Sequence, residues 1–247
     1  MSKYDEITNY LPDTSFARED ILTAAYNADS SFSDSSLRRL IDRLKASGLI
    51  VHVARDVYTK PSKNDSNLSD YVCDYSDKAK TIIDYMLDKF PHLRFVVWET
   101  SALNEFTGHL LARNYIMLEV ENSGCEFVFD GIKHDFELNT LLRPTQKELL
   151  RYGENDTVIV DRLITESPTG PSEKYALTLE KLIVDMFSNR TLKEILSRGD
   201  YAEAISDMFS KYRINVVKLL RYARRRNKEE TVVAFFESIN LKHLIVK

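Results

Sequence analysis

Arginine is the residue type that stands out as chemically active in this sequence, because it is concentrated in two places. From Ser35 to Lys60 the chain carries Arg38, Arg39, Arg43, Lys45, Arg55 and Lys60 against only Asp42 and Asp56. Guanidinium groups at that density suit the phosphates and guanine edges of a duplex, and Ser35 and Ser36 add short hydroxyl donors beside them. The competing reading is an ordinary solvated helix face. A second island, Lys211 to Lys228, holds Lys211, Arg213, Lys218, Arg221, Arg224, Arg225, Arg226 and Lys228 with no acid among them. On a helix this becomes a basic ridge of Lys218, Arg221, Arg224 and Arg225, which fits a protein partner, nucleic-acid phosphates, or a solvated face.

Acids supply the other candidate chemistry. Glu99, Glu119 and Glu121 fall at or near the ends of β-prone runs, where metal-dependent nucleases gather carboxylates. The run "LEVEN" lacks the lysine that the common nuclease signature places two residues after its acid, so ion pairs or exposed strand positions explain these residues more simply. Lys181 and Asp185 in "TLEKLIVDMF" are four apart and read as a pair on a helix surface. No catalytic residue and no metal ligand is assigned. The sequence has no GxxxxGK[ST], no GxSxG and no Gly-Ser dipeptide, which removes P-loop, hydrolase and nucleotidyltransferase readings.

Composition narrows the class further. Net charge is −4, so the basic islands are local features of a slightly acidic chain. With 43% apolar and 29% charged residues but only 7 glycines and 6 prolines, a soluble, helix-rich globular protein is expected. Two cysteines, Cys73 and Cys125, form no CxxC, and the five histidines show no metal-ligand spacing. A reducing cytoplasm, no cofactor and no membrane span or export segment are the expectations.

The elements that would position the first arginine group are legible. Tyr4 to Leu11 reads as a first helix, and "TSFAREDILTAAY" as a second with Ser15 as cap. A third helix should open at Ser33 or Asp34. In it Leu37, Leu40, Ile41 and Leu44 form one apolar stripe, which turns Ser35, Arg39 and Asp42 outward with Arg38 and Arg43 on the flanks. Gly48 is placed to stop that helix, and "LIVHV" and "VYT" flank an "ARD" turn. Residues 1–60 thus read as a winged helix-turn-helix, residues 61–70 as a linker, and 71–247 as an α+β effector region.

Within that region, 71–165 alternates helices and strands, with "SALNEFTGHLLA" read as a helix capped by Thr100 or Ser101 and "CEFVFDGIKHDF" left open between helix and strand. Residues 175–247 read as a helical bundle. The expected fold class is α+β.

The winged module ending in "GLIVHVARDVYTK", followed by "TLEKLIVDMF" and "YRINVVKLLRYARRR", resembles the AbiEi-type antitoxins of bacterial abortive-infection (type IV toxin–antitoxin) systems, over most of the chain. The resemblance implies an amino-terminal winged helix that binds double-stranded DNA of its own promoter and represses it. It also implies a carboxy-terminal region that neutralises a cognate nucleotidyltransferase-like toxin. Carried over, DNA contact falls on Arg38, Arg39, Arg43 and Arg55, and neutralisation on residues after 70. Asp56 stands where the family's wing usually has glycine. The runner-up is a winged-helix-targeted metal-dependent nuclease or another phage-defence effector. A third reading is pure protein interaction through the Lys211 to Lys228 ridge.

Overall fold

The computed structural model describes residues 3–12, 16–47, 49–54, 56–60, 68–170 and 173–241. It is a mixed helix-and-sheet protein whose chain divides into two compact units, Met1–Leu68 and Ser69–Leu241.

The first unit contains helices α1 (Lys3–Asn9), α2 (Arg18–Ala28) and α3 (Leu37–Ala46), with strands β1 (Phe16–Ala17), β2 (Val51–Ala54) and β3 (Val57–Thr59). The strands form one antiparallel sheet in the order β1-β3-β2. Its core is built by Ile7, Phe16, Ile21, Ala25, Leu37, Leu40, Ile41, Leu44, Ile50 and Tyr58. The four apolar residues of α3 are all buried, each contributing roughly 1.5–3 kcal/mol of transfer free energy. Burying that stripe is what turns the arginine face outward.

Local starts and stops differ from expectation. Asp20 accepts the Ala17 N–H at 2.6 Å to open α2, while Ser15, the expected cap, lies outside the described residues. Neither Ser33 nor Asp34 caps the third helix through its side chain: a 3₁₀ turn, Asp34–Ser36, precedes α3, Ser33 Oγ meets Ser35 Oγ at 2.8 Å, and the Asp34 carboxylate accepts a hydrogen bond from the Tyr26 hydroxyl. Gly48 lies outside the described residues, as do residues 61–67 of the expected linker. Ser69 is already paired with Tyr212 in an isolated bridge, and Arg213 reaches Asp70 at 3.0 Å.

The second unit is organised around a four-stranded sheet in the order β4-β5-β7-β6, made by β4 (Phe95–Glu99), β5 (Tyr115–Val120), β6 (Thr140–Leu142) and β7 (Thr157–Arg162). β4 is antiparallel to β5, whereas β5, β7 and β6 run parallel. Helices α4 (Asp77–Lys89) and α5 (Cys125–Asp135) cover one face, burying Val97, Ile116, Leu118, Val120, Val158 and Val160. Strand alternation sends Val96, Trp98, Met117 and Glu119 to the other face. α6 (Gln146–Tyr152) connects β6 to β7, opened by the Thr145/Glu148 capping box.

Beyond the sheet, α7 (Leu179–Ser188) is the helix against which α8 (Arg190–Ile195), α9 (Arg198–Lys211), α10 (Val216–Arg225) and α11 (Glu229–Ser238) pack. Three local readings are resolved or corrected. "CEFVFDGIKHDF" is α5. The segment after β4 forms only a 3₁₀ helix, Thr100–Glu105, because the Thr100 hydroxyl is taken by the Tyr115 N–H at 2.8 Å instead of capping a helix. β6 was not anticipated. Among the described residues no helix is long and apolar enough to cross a membrane.

Candidate functional site

The candidate interface lies on the outer face of α3. Arg38 and Arg39 are exposed, and no hydrogen bond or ion pair ties either to a described residue. Arg43, also exposed, donates to the Tyr4 hydroxyl at 2.6 Å, a neutral partner that leaves the guanidinium charge uncompensated. Ser35 is exposed at the 3₁₀ entry to the helix, Ser36 is half-buried, and Lys45 is exposed one turn beyond Ile41. Lys60 is half-buried just after β3. Arg55, the expected wing contact, lies outside the described residues. Its neighbour Asp56 is described: it occupies the left-handed region at φ 57°, and its carbonyl accepts the Arg18 N–H at 3.0 Å. Aspartate tolerates that conformation better than most residues, so the turn survives the absence of glycine.

The basic ridge looks different once folded. Acids, two of them near in sequence and one distant, pair with part of it. Lys211 pairs with Asp207 at 2.5 Å, and Arg221 with Glu166 at 3.6 Å. Arg224 makes two bonds to Glu229, at 2.8 and 2.6 Å. Arg225 donates to Thr165 at 2.6 Å, while Lys218 remains exposed. On its other side α10 buries Leu219, Tyr222 and Ala223.

The three candidate carboxylates are not brought together. Glu99 projects to the α4 face, where it accepts from the Ser76 N–H at 2.7 Å and the Asn114 amide at 2.8 Å. Glu119 projects to the α7 face, and Glu121 binds Arg94 at 2.9 Å beyond the end of β5. That ion pair holds the Glu121 carboxyl below its ordinary pKa. Of the two expectations for these acids, exposed strand positions fail for Glu99 and Glu119, which are buried, while ion pairing holds for Glu119 with Lys181 and for Glu121 with Arg94. Among the described residues no group of three or more His, Cys, Asp or Glu is placed to hold a metal ion.

Lys181 and Asp185 are also corrected. They are not a surface pair: Lys181 is fully buried, and its ammonium bridges Glu119 Oε1 at 2.5 Å and the Asp185 carboxylate. Trp98 Nε1 donates to the same Glu119 oxygen at 3.2 Å, and the Tyr222 hydroxyl donates to Asp185 at 3.0 Å. Arg226 stands 3.6 Å from Asp185 and is steadied by Ser188 at 2.8 Å. Burial opposes the charge on Lys181, but Asp185 and Glu119 outweigh it and raise its pKa, so the lysine is charged. Burial raises the Glu119 carboxyl above its usual range, against the downward pull of Lys181 and the indole. Two cations thus face two carboxylates. The available signal was that six of the nine residues in "LEKLIVDMF" are apolar, which leaves little polar surface to hold the helix in solvent.

No curated protein matches the chain. Among solved structures it is similar to the RV2827C protein from Mycobacterium tuberculosis, at 11% identity over 95% of this chain and 79% of that one. The TM-score is 0.24, a level at which the likeness bears on neither fold nor function. The model of a family of unknown function, DUF6577, matches residues 36–242, and the chain belongs to that family.

Proposed function

We propose that this chain is a cytoplasmic, non-enzymatic DNA-binding antitoxin and transcriptional autorepressor. In this reading Met1–Leu68 works as a winged helix-turn-helix, with α3 entering the major groove of its own promoter. The observation that carries it is the solvent-facing set Arg38, Arg39 and Arg43, none paired with an acid, on a helix whose opposite face is the unit's core. Cations left uncompensated in a chain of net charge −4 are suited to displacing counterions from a polyanion. The antitoxin half rests on the resemblance to AbiEi-type proteins and assigns neutralisation of a nucleotidyltransferase-like toxin to residues after 70. The nuclease alternative finds less support, because Glu99 and Glu119 lie on opposite faces of one sheet.

A gel-shift titration on the DNA upstream of the gene tests the first half. Arg38→Ala combined with Arg39→Ala should weaken binding by tenfold or more, about 1.4 kcal/mol or greater. Affinity should also fall by about 10³-fold between 50 and 200 mM salt. Unchanged affinity in the double variant rejects the assignment of α3. The same variant should still rescue growth when co-expressed with the toxin encoded beside it. Cleavage of plasmid DNA by the purified protein with Mg²⁺ or Mn²⁺ would favour the nuclease reading instead.

A further inference from the structure

The second unit contains a cleft of about 340 Å³ that the proposed function does not use. It opens where the three parallel strands end: Asn122 follows β5, Arg143 follows β6, and Arg162 closes β7. Arg190, at the start of α8, and Arg226, just beyond α10, complete the wall. Loops diverge at the carboxyl ends of parallel strands, and that divergence leaves a crevice where α/β sheets take their ligands. The volume lies at the small end of the range for small-molecule sites.

The charge of the cleft is specific. Four arginines line it, Arg143, Arg162, Arg190 and Arg226, against two acids, Glu119 and Asp161. Glu119 is already engaged by Lys181 and Trp98, and Asp161 accepts the backbone N–H of Arg162 at 2.6 Å. Two of the arginines are held in place. Arg143 donates to Asn122 at 2.9 Å from a backbone at φ 45°, a left-handed conformation that costs a non-glycine residue energy. Arg226 is fixed by Ser188 and Asp185. Arg162 and Arg190 are exposed, and no hydrogen bond or ion pair ties either side chain to a described residue. No aromatic ring lines the cleft, so it offers a base nothing to stack on.

We propose that this cleft binds the phosphate groups of a small diphosphate or triphosphate, through bidentate guanidinium contacts. Arg143 and Arg226 form the preset part of the site, and Arg162 and Arg190 close on the ligand from the rim. The source is free pyrophosphate or the polyphosphate of a nucleotide, since both present the same adjacent phosphates.

The test uses the full chain and titration calorimetry, with sodium pyrophosphate, ATP and adenosine as probes at matched ionic strength in NaCl. Pyrophosphate and ATP should bind one per chain, and adenosine should not bind. Equal affinities for the two would identify the phosphates alone as the ligand, and tighter ATP binding a nucleotide. Arg162→Ala with Arg190→Ala changes only exposed side chains and should weaken both probes about 100-fold, roughly tenfold for each lost charge-assisted contact. Lys80→Ala, exposed on α4 and outside both the cleft and the basic ridge, should leave both unchanged. The proposal is overturned if pyrophosphate binds no better than chloride, if the double variant binds as the parent does, or if only a long nucleic acid binds. Because the DNA-binding variants lie in the first unit, failure here leaves that reading standing, and the reverse holds.

Discussion

Replacing Lys181 by methionine keeps most of the side-chain volume but removes the one cation that bridges two buried carboxylates. Glu119 and Asp185 would then face each other with Trp98, Tyr222, Ser188 and the more distant Arg226 as their remaining polar partners. Breaking a buried pair in this way costs about 3–5 kcal/mol, because the surviving charge stays buried without compensation. That is a large share of the ~5–15 kcal/mol that holds a typical domain folded. Trp98 is the chain's one tryptophan and is fully buried beside the network, so its emission reports unfolding of the second unit directly. At pH 7.5 the urea midpoint should fall by about 1–2 M.

The loss should shrink as pH falls toward 5. Burial already raises Glu119, and removing Lys181 takes away the charge that pulls it down. In the variant the folded state therefore takes up a proton that the unfolded state does not, and folding gains stability, relative to the parent, as pH drops. Lys78→Met provides the comparison, since the Lys78–Asp156 pair at 2.8 Å is half-exposed on the lysine side and should cost about 1 kcal/mol or less. If Lys181→Met cost no more than Lys78→Met, the network could not be what anchors α7 to the sheet, and the reasoning fails.

Trp98→Phe should cost about 1–3 kcal/mol by circular dichroism melts, since the buried Glu119 oxygen loses its indole donor while most of the apolar volume stays. Asp56→Val should cost about 1–2 kcal/mol in the first unit, because a β-branched residue is strained at φ 57°, whereas Asp56→Gly should be tolerated; thermal melts of both variants decide it. Acid should weaken the second unit through Asp156, whose pKa is lowered by its hydrogen bond to Lys78, and through Glu121, lowered by Arg94. A depressed folded pKa gives stability that is present above the ordinary unfolded value, about 4, and lost as pH falls through the folded value. Urea midpoints between pH 6 and 3 should therefore decline, and Asp156→Asn should flatten the decline.

Much of the local structure could be read along the chain. The apolar stripe of α3 predicted which arginines face outward, and Pro91 marked the end of α4. The continuous apolar runs of β4 and β5 suited strands buried on both faces. The failures have separate causes. Thr100 looked like a helix cap, but the Tyr115 N–H had a stronger claim on its hydroxyl. The short strand β6 carries too few residues for its alternation to register.

What the sequence alone determined is set by periodicity and by neighbours a few residues away: most of the helices, most of the strands, and the exposure of Arg38, Arg39 and Arg43. What only the tertiary structure decided is which charges meet. Glu119 and Lys181 lie 62 positions apart and Arg221 and Glu166 also come from separate segments, yet the first pair is buried and the second gives one arginine of the ridge an acid that the ridge itself lacks. Four arginines from four separate segments converge at the ends of three parallel strands in the same way. Electrostatic energy depends on distance and local dielectric, and neither exists until the sheet and its covering helices bring those segments together.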